Sequence, residues 1–277
     1  MGNANARNVL IKISYDGSFF HGWQIQENAY SVQQCFQESL GKILGSCPDI
    51  KACSRTDSGV HARVFAISCH IDNPITNDRL KSALNHFFPE YAACLSVENV
   101  PDDFHARYSC LGKEYEYLIY NREVRDPFLR GRAYHYWYPI DEKKLNEAAS
   151  MYLGTHDFTS FCTQDARELK DMRRTVYRSD VRREGDMVIF TVAADGFLYN
   201  MVRIMVGTLL RVQQGRFSAD DIPRIFAAGD RKAAGPTAAA EGLYLNRIFY
   251  SQSEIAAITA KTAKAAAAAT APLIKDR

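Results

Sequence analysis

Asp57 stands in CSRTDSGVHAR, Cys53 to Arg63, between an Arg-Thr pair and a Ser-Gly pair. An aspartate ahead of Ser-Gly is ordinary turn chemistry, its carboxylate bonding nearby backbone N–H groups. A carboxylate that is held ionised, and is not a metal ligand, is also a nucleophile or a general base. What separates the two readings is a cation to hold it. Arg203 is the candidate. It interrupts FLYNMVRIMVGTLLRVQQG, where Leu198, Val202, Met205, Leu209 and Val212 form an apolar stripe that Met201, Ile204, Val206 and Leu210 widen nearly all round. A helix that apolar is buried on most faces. A guanidinium within it needs a carboxylate or carbonyl oxygens, or must reach out to an edge. Asp57 is the expected partner, because Ser58, Gly59, Val60 and Ala62 after it are small or apolar. A carboxylate so paired stays ionised at neutral pH.

The elements that must carry these residues are readable by period. NVLIKISYDG alternates through Val9, Ile11, Ile13 and Tyr15 into an Asp-Gly turn, which is a half-buried strand. SVQQCFQESLGKIL is a helix with Ser31 and Gln34 as a capping box and one stripe of Val32, Phe36, Leu40, Ile43 and Leu44. VFAISCHI alternates again, and TNDRLKSALNHFF is a second helix. The pattern then restarts. KEYEYLIYN, Lys113 to Asn121, is a strand with Tyr115 and Tyr117 on one face, and a helix from about Asp141 follows. TVYRSDVRREGDMVIFTVAA is a hairpin turning at Glu184-Gly185-Asp186. The apolar helix from 197, a short helix in SADDIPRIFAAG and a last strand in EGLYLNRIFY complete the set. Strand–helix–strand order thus occurs twice, which predicts an α+β fold of two halves, residues 8–105 and 106–250. Residues 251–277, rich in Ala with no mixed apolar face, are expected to be a frayed helix or a disordered tail.

Composition bounds the rest. The chain has 277 residues, 47% hydrophobic and 24% charged, with no apolar run of membrane-spanning length and no apolar core of a secretory signal at its start. Seven scattered cysteines, none in a CxxC pair, read as reduced thiols of a cytoplasmic protein. Neither a metal site nor a phosphate-binding glycine loop is expected. The net charge of +2 argues nothing, but its distribution does. RELKDMRRTVYRSDVRR, 167–183, holds seven basic residues against three acidic, and NREVRDPFLRGR holds four arginines against two acids. Arginine dominates both, which suits phosphate forks and base stacking, so Arg173 and Arg174 are expected to meet nucleic-acid backbone. The bland alternative is a solvated hairpin with surplus charge.

SRTDSGVHA resembles the GRTDAGVHA motif of the tRNA pseudouridine synthase A family. YDGSFFHGWQIQ, FHARYSCLGKEYEYLIYN, GTHDFTSF, FLYNMVRIMVGTLL and GPTAAAEGLYL resemble the family's other blocks in the family's order, over roughly residues 9–250. Ser54 stands where the motif has Gly, Ser58 where it has Ala, and Ala239 where the family usually has Pro.

That resemblance implies isomerisation of uridine to pseudouridine in the anticodon stem-loop of tRNA, at positions 38–40, with no cofactor. It implies two ferredoxin-like halves sharing a long mixed or antiparallel sheet with a central cleft, and a homodimer. By matching position, Asp57 is the catalytic carboxylate, Arg203 its partner, Tyr115 the tyrosine beside the reacting base, and Arg55 the arginine that helps displace that base. His61 and His156 receive no role and are read as structural. The reaction breaks C1′–N1, turns the uracil and joins C5 to C1′, and the stacked target must first be extruded. Attack by Asp57 at C1′, attack at C6 and removal of a sugar proton all remain open. Two other readings compete: an RNA-binding protein without activity, and a hydrolase using Asp57 with His61.

Overall fold

In the computed structural model, residues 6–163 and 171–270 are described. β1 (Ala6–Tyr15) runs antiparallel between β3 (His61–Asp72) and β4 (Ala92–Val100), its odd residues Val9, Ile11 and Ile13 fully buried. α1 (Val32–Leu44) and α2 (Asn77–Phe87) return the chain between these strands, and β2 (Ile50–Ala52) pairs with β3. The second half repeats the plan. β5 (Gly112–Tyr120), α3 (Glu142–Ser150), β8 (Arg173–Glu184), β9 (Met187–Ala194), α4 (Met201–Gln213) and β10 (Leu243–Phe249) follow in that order. The short β6 (Tyr134–His135) joins β5, β7 (Gly154–Asp157) extends the β8 edge, and α5 (Asp221–Ala228) packs beside them.

The main path of the sheet is β4-β1-β3-β10-β5-β9-β8-β7. Each half therefore places its fourth long strand beside its first and its third beside that, a ferredoxin-like order. The halves meet where β10 lies parallel to β3, through only two residue pairs, Tyr244 with His61 and Leu245 with Ala62. All other pairings among the eight main-path strands are antiparallel. This is the α+β architecture expected, with a mixed sheet.

Alternation on the strands sets the two faces. Tyr115, Tyr117, Val192 and Ala194 join the main core under the helices, whereas Ala193 faces the other way. That second face answers the expectation for the tail. Of the two alternatives the helix forms, as α6 (Gln252–Thr270), because Ile255 and Ile258 supply a small apolar face against Phe249, Ala193 and Tyr177. The rest of the second face is polar, and there the charge run of the β8 strand is largely consumed. Arg178 pairs with Glu114 and Asp180, Arg182 with Glu116 and Glu184, and Arg183 with Glu142. Arg167 and Lys170 of that run lie outside the described residues.

Two further differences bear on the site. α4 starts at Met201 rather than 197, because Asn200 takes a left-handed conformation with φ 61° just ahead of it. At Ser31, only half of the capping box forms. The hydroxyl accepts from the Gln34 N–H at 3.2 Å, while the Gln34 amide turns instead to Glu38. No helix among the described residues is long and apolar enough to cross a membrane.

Candidate active site

A strand, a loop and a helix N-terminus converge on Asp57. The loop 53–60 leads into β3 and is held from several sides. Tyr15, the last residue of β1, meets Thr56 hydroxyl to hydroxyl at 2.9 Å, both buried. The 17–23 segment braces it through Trp23 N–H to the Thr56 carbonyl at 3.0 Å and Gly59 N–H to the Phe20 carbonyl at 3.3 Å. Close approach requires glycine here: a Cβ on Gly22, at φ 84°, would lie 2.7 Å from the Thr56 oxygen.

Arg203 comes from the first turn of α4. Its Nη1 donates to Asp57 Oδ2 at 3.1 Å and to Asn200 Oδ1 at 2.8 Å, and its Nε donates to the Ala238 carbonyl at 2.7 Å. Neither partner is fully buried; the side chains are 19% and 25% exposed. The helix can carry this cation because residues 235–238 lie directly along it. A Cβ on Gly207 would sit 1.7 Å from the Pro236 oxygen, so that position accepts glycine only. The same strap presents the Ala239 carbonyl to the Tyr117 hydroxyl at 2.8 Å.

Tyr115 is buried under the loop, edge-on to Phe197 with centroids 5.0 Å apart, its hydroxyl 3.5 Å from Ser54 Oγ. Burial pushes the phenol well above its usual range, only partly offset by Ser54. It is a neutral hydroxyl at any ordinary pH. Cys53 beneath the loop is likewise buried, its thiol pushed up to about 12.

Asp57, Tyr115 and Arg203 open on one cleft of about 1040 Å³. Among the described residues lining it Asp57 is the sole carboxylate, beside six cations: Lys51, Arg55, Arg107, Lys113, Arg174 and Arg203. Arg55, exposed, has no carboxylate partner among the described residues. Arg174 reaches the cleft, but Arg173, one residue earlier and facing the other side of β8, is not among its lining. His105, Tyr108, Tyr199 and Asn200 line it too, and sequence reasoning gave none of them a part; only their exposed aromatic character marks two of them out.

His61 is close by but not in the cleft. Its buried Nδ1 accepts the Gly17 N–H at 3.0 Å, its Nε2 lies 3.2 Å from the Glu241 carbonyl, and its ring stacks on Tyr244 at 4.4 Å. Burial lowers its pKa against the pull of Asp16. These contacts tie the start of β3 to β10 and leave the hydrolase reading without its second group. His156 stacks on Phe226 and bonds the Leu153 carbonyl. Among the described residues no group of three or more His, Cys, Asp or Glu could hold a metal ion.

Comparison with known proteins gives a consistent picture. The family described as tRNA pseudouridine synthase matches residues 11–109 and 148–251. A protein of Acetivibrio thermocellus named tRNA pseudouridine synthase A is 43% identical over 88% of this chain and 100% of its own. Proteins of the same name from Geobacillus kaustophilus and Staphylococcus aureus are 43% and 40% identical, over 86% and 89% of this chain and 92% and 93% of theirs.

Proposed function

The chain belongs to the tRNA pseudouridine synthase family, and on that premise we propose that Asp57 is the catalytic carboxylate of a uridine isomerase acting on the anticodon stem-loop of tRNA. The reaction class, an isomerase forming pseudouridine in tRNA, follows from the family. One observation supports the rest: among the described residues, the only carboxylate lining a cleft with six cations is the one fixed by Arg203. Cations hold the polyanionic backbone, and the lone anion is left for the uridine.

In this reading the target nucleotide leaves its stack and enters the cleft, with Arg55 of the 53–60 loop helping to displace it. Asp57 Oδ1, which Arg203 does not engage, faces the nucleotide and either attacks carbon or takes a sugar proton. Tyr115 supplies a ring against the freed uracil. Its hydroxyl, neutral in the buried site, accepts the C5 proton only by passing its own on, and Ser54 is the nearest hydroxyl. Arg174 belongs to the backbone-binding wall, with Arg173 outside the cleft in a lesser part. No cofactor enters the scheme. Modification at positions 38–40, action as a homodimer and a cytoplasmic location are part of the same proposal, supported by the resemblance of the motifs.

The test is tritium release from C5-labelled uridine in a tRNA transcript. Asp57→Asn should lower the rate by about 10³-fold or more while tRNA affinity stays, since affinity comes from distributed phosphate contacts. Turnover by purified Asp57→Asn protein would remove Asp57 from the mechanism. A wild-type protein that binds tRNA yet releases no tritium would favour the non-catalytic RNA-binding reading.

A further inference from the structure

The linker between the halves, residues 101–111, presents a ring that the mechanism above does not use. Tyr108 is 78% exposed, yet it lines the cleft that holds Asp57. Exposure here does not come with a loose loop. His105 Nδ1 accepts the N–H groups of Arg107 and Tyr108 at 3.1 and 3.3 Å, and Ser109 bonds His105 in both directions. Ala106 is clamped between the halves, its N–H on Ser68 Oγ at 3.0 Å and its carbonyl receiving the Tyr250 hydroxyl at 2.9 Å. The His105 ring lies 4.3 Å from the Tyr108 centroid, and the Arg107 guanidinium carbon lies 5.9 Å from it. Arg107 has no carboxylate partner among the described residues.

An aromatic ring kept in water on a loop with this much hydrogen bonding is preorganised for a flat partner. Single-stranded nucleic acid offers such partners: bases stack on aromatic rings, and a neighbouring arginine takes the phosphate or adds to the stack. The cleft also has room. At about 1040 Å³ it lies at the upper end of ordinary small-molecule sites, about 300–1,000 Å³, so an extruded uridine leaves space beside it. We propose that Tyr108, backed by His105 and Arg107, is a stacking platform for an unpaired RNA base next to the target nucleotide. The proposal rests on the tRNA reading above and deepens it by naming a second base subsite. The occupant is a base rather than a second copy of this chain because the ring opens into the cation-lined cleft.

The experiment compares Tyr108→Leu, Tyr108→Phe and Tyr108→Trp in the full chain, using anticodon stem-loop RNA with 2-aminopurine beside the target uridine. Tyr108→Leu should bind about 5- to 150-fold more weakly, the usual effect of one lost base stack. Its kcat at saturating RNA should stay within about twofold of wild type. Phe and Trp should restore affinity, and the fluorescence quench seen with wild type should be missing only in the Leu variant. Unchanged RNA affinity in Tyr108→Leu, or a loss that Phe does not rescue, would overturn the platform. So would a sedimentation shift with affinity intact, since Tyr108 would then cover a second copy. If wild type shows the quench but no tritium release, the platform stands and the catalytic reading fails.

Discussion

Arg203 donates to Asp57 Oδ2 at 3.1 Å while its own Nε is fixed to the Ala238 carbonyl at 2.7 Å, so the carboxylate is oriented by a cation that is itself oriented. Arg203→Lys keeps the charge but cannot serve Asp57, Asn200 and Ala238 from one ammonium. Turnover should fall by about 10²-fold, the scale of a misplaced reacting group, with a small change in melting temperature, since the pair is partly exposed. Single-turnover rates beside thermal melts check this; wild-type turnover in Arg203→Lys would leave Ala238 and Asn200 without a catalytic purpose.

Tyr115→Phe separates ring from hydroxyl. With the phenol held neutral by burial, the pH–rate profile of wild type should show no limb near pH 10, the usual phenol range. Removing the hydroxyl should slow isomerisation by about 10²- to 10⁴-fold with tRNA affinity unchanged. Full activity in the Phe variant would confine Tyr115 to stacking.

Gly207→Ala tests the strap one turn along α4, on the face it shares with Arg203. Its Cβ would displace the Pro236 backbone and with it Ala238, the residue that fixes Arg203. We expect a loss of about 1–3 kcal/mol in stability, typical of overpacking, together with reduced kcat in the protein that remains folded. Urea melts and active-site-normalised rates measure the two effects separately.

The arginines of β8 should divide by face. Arg174→Glu should weaken tRNA binding and lower the slope of log affinity against log salt by about one per lost phosphate contact; Arg173→Glu should do less. Arg182→Gln should leave binding alone and cost stability, because Glu116 and Glu184 lose their shared cation. Equal effects on binding at all three would mean that the second face also meets RNA.

His61 is kept neutral by burial, its folded pKa below the unfolded value. Protons then bind the unfolded chain first as pH falls through about 6.5, so stability should decline from there down to the folded pKa. His61→Gln should be less stable at pH 7 yet flatter across that window, as urea titrations at pH 7 and 5.5 would register. An equally steep decline in His61→Gln would assign the slope to other groups.

Much of this was legible in the sequence wherever burial imposes a period. The strands through Ile11, Ile67 and Tyr117 each turn a continuous apolar row to the core, with smaller or polar residues between, so alternation announces them even though Ser68, Glu114 and Glu116 are buried too, and Arg203 stands out against an apolar helix. β4 escaped because Ala92–Val100 is a half-exposed sheet edge with little alternation, and β7 is only four residues long. Ile255 and Ile258 were hidden among alanines, although two side chains suffice where Phe249 offers a surface. Asn200 and Ala238, which orient Arg203, act through local backbone geometry that no spacing encodes. Tyr108 belongs to the surface, where sequence carries no burial signal at all.

The parallel contact of β10 with β3 has a consequence for the order of events in synthesis. β10 comes after all the other described strands in the chain but occupies the middle of the sheet, between β3 and β5. Until it emerges from the ribosome, β3 and β5 each present an inner edge covered only in part, by β2 and β6, the kind of surface that recruits chaperones or misassembles. Residues 235–238, just ahead of it, bring the carbonyl that fixes Arg203. A nascent chain therefore has no assembled site, and it gains one only when the centre of its sheet is filled.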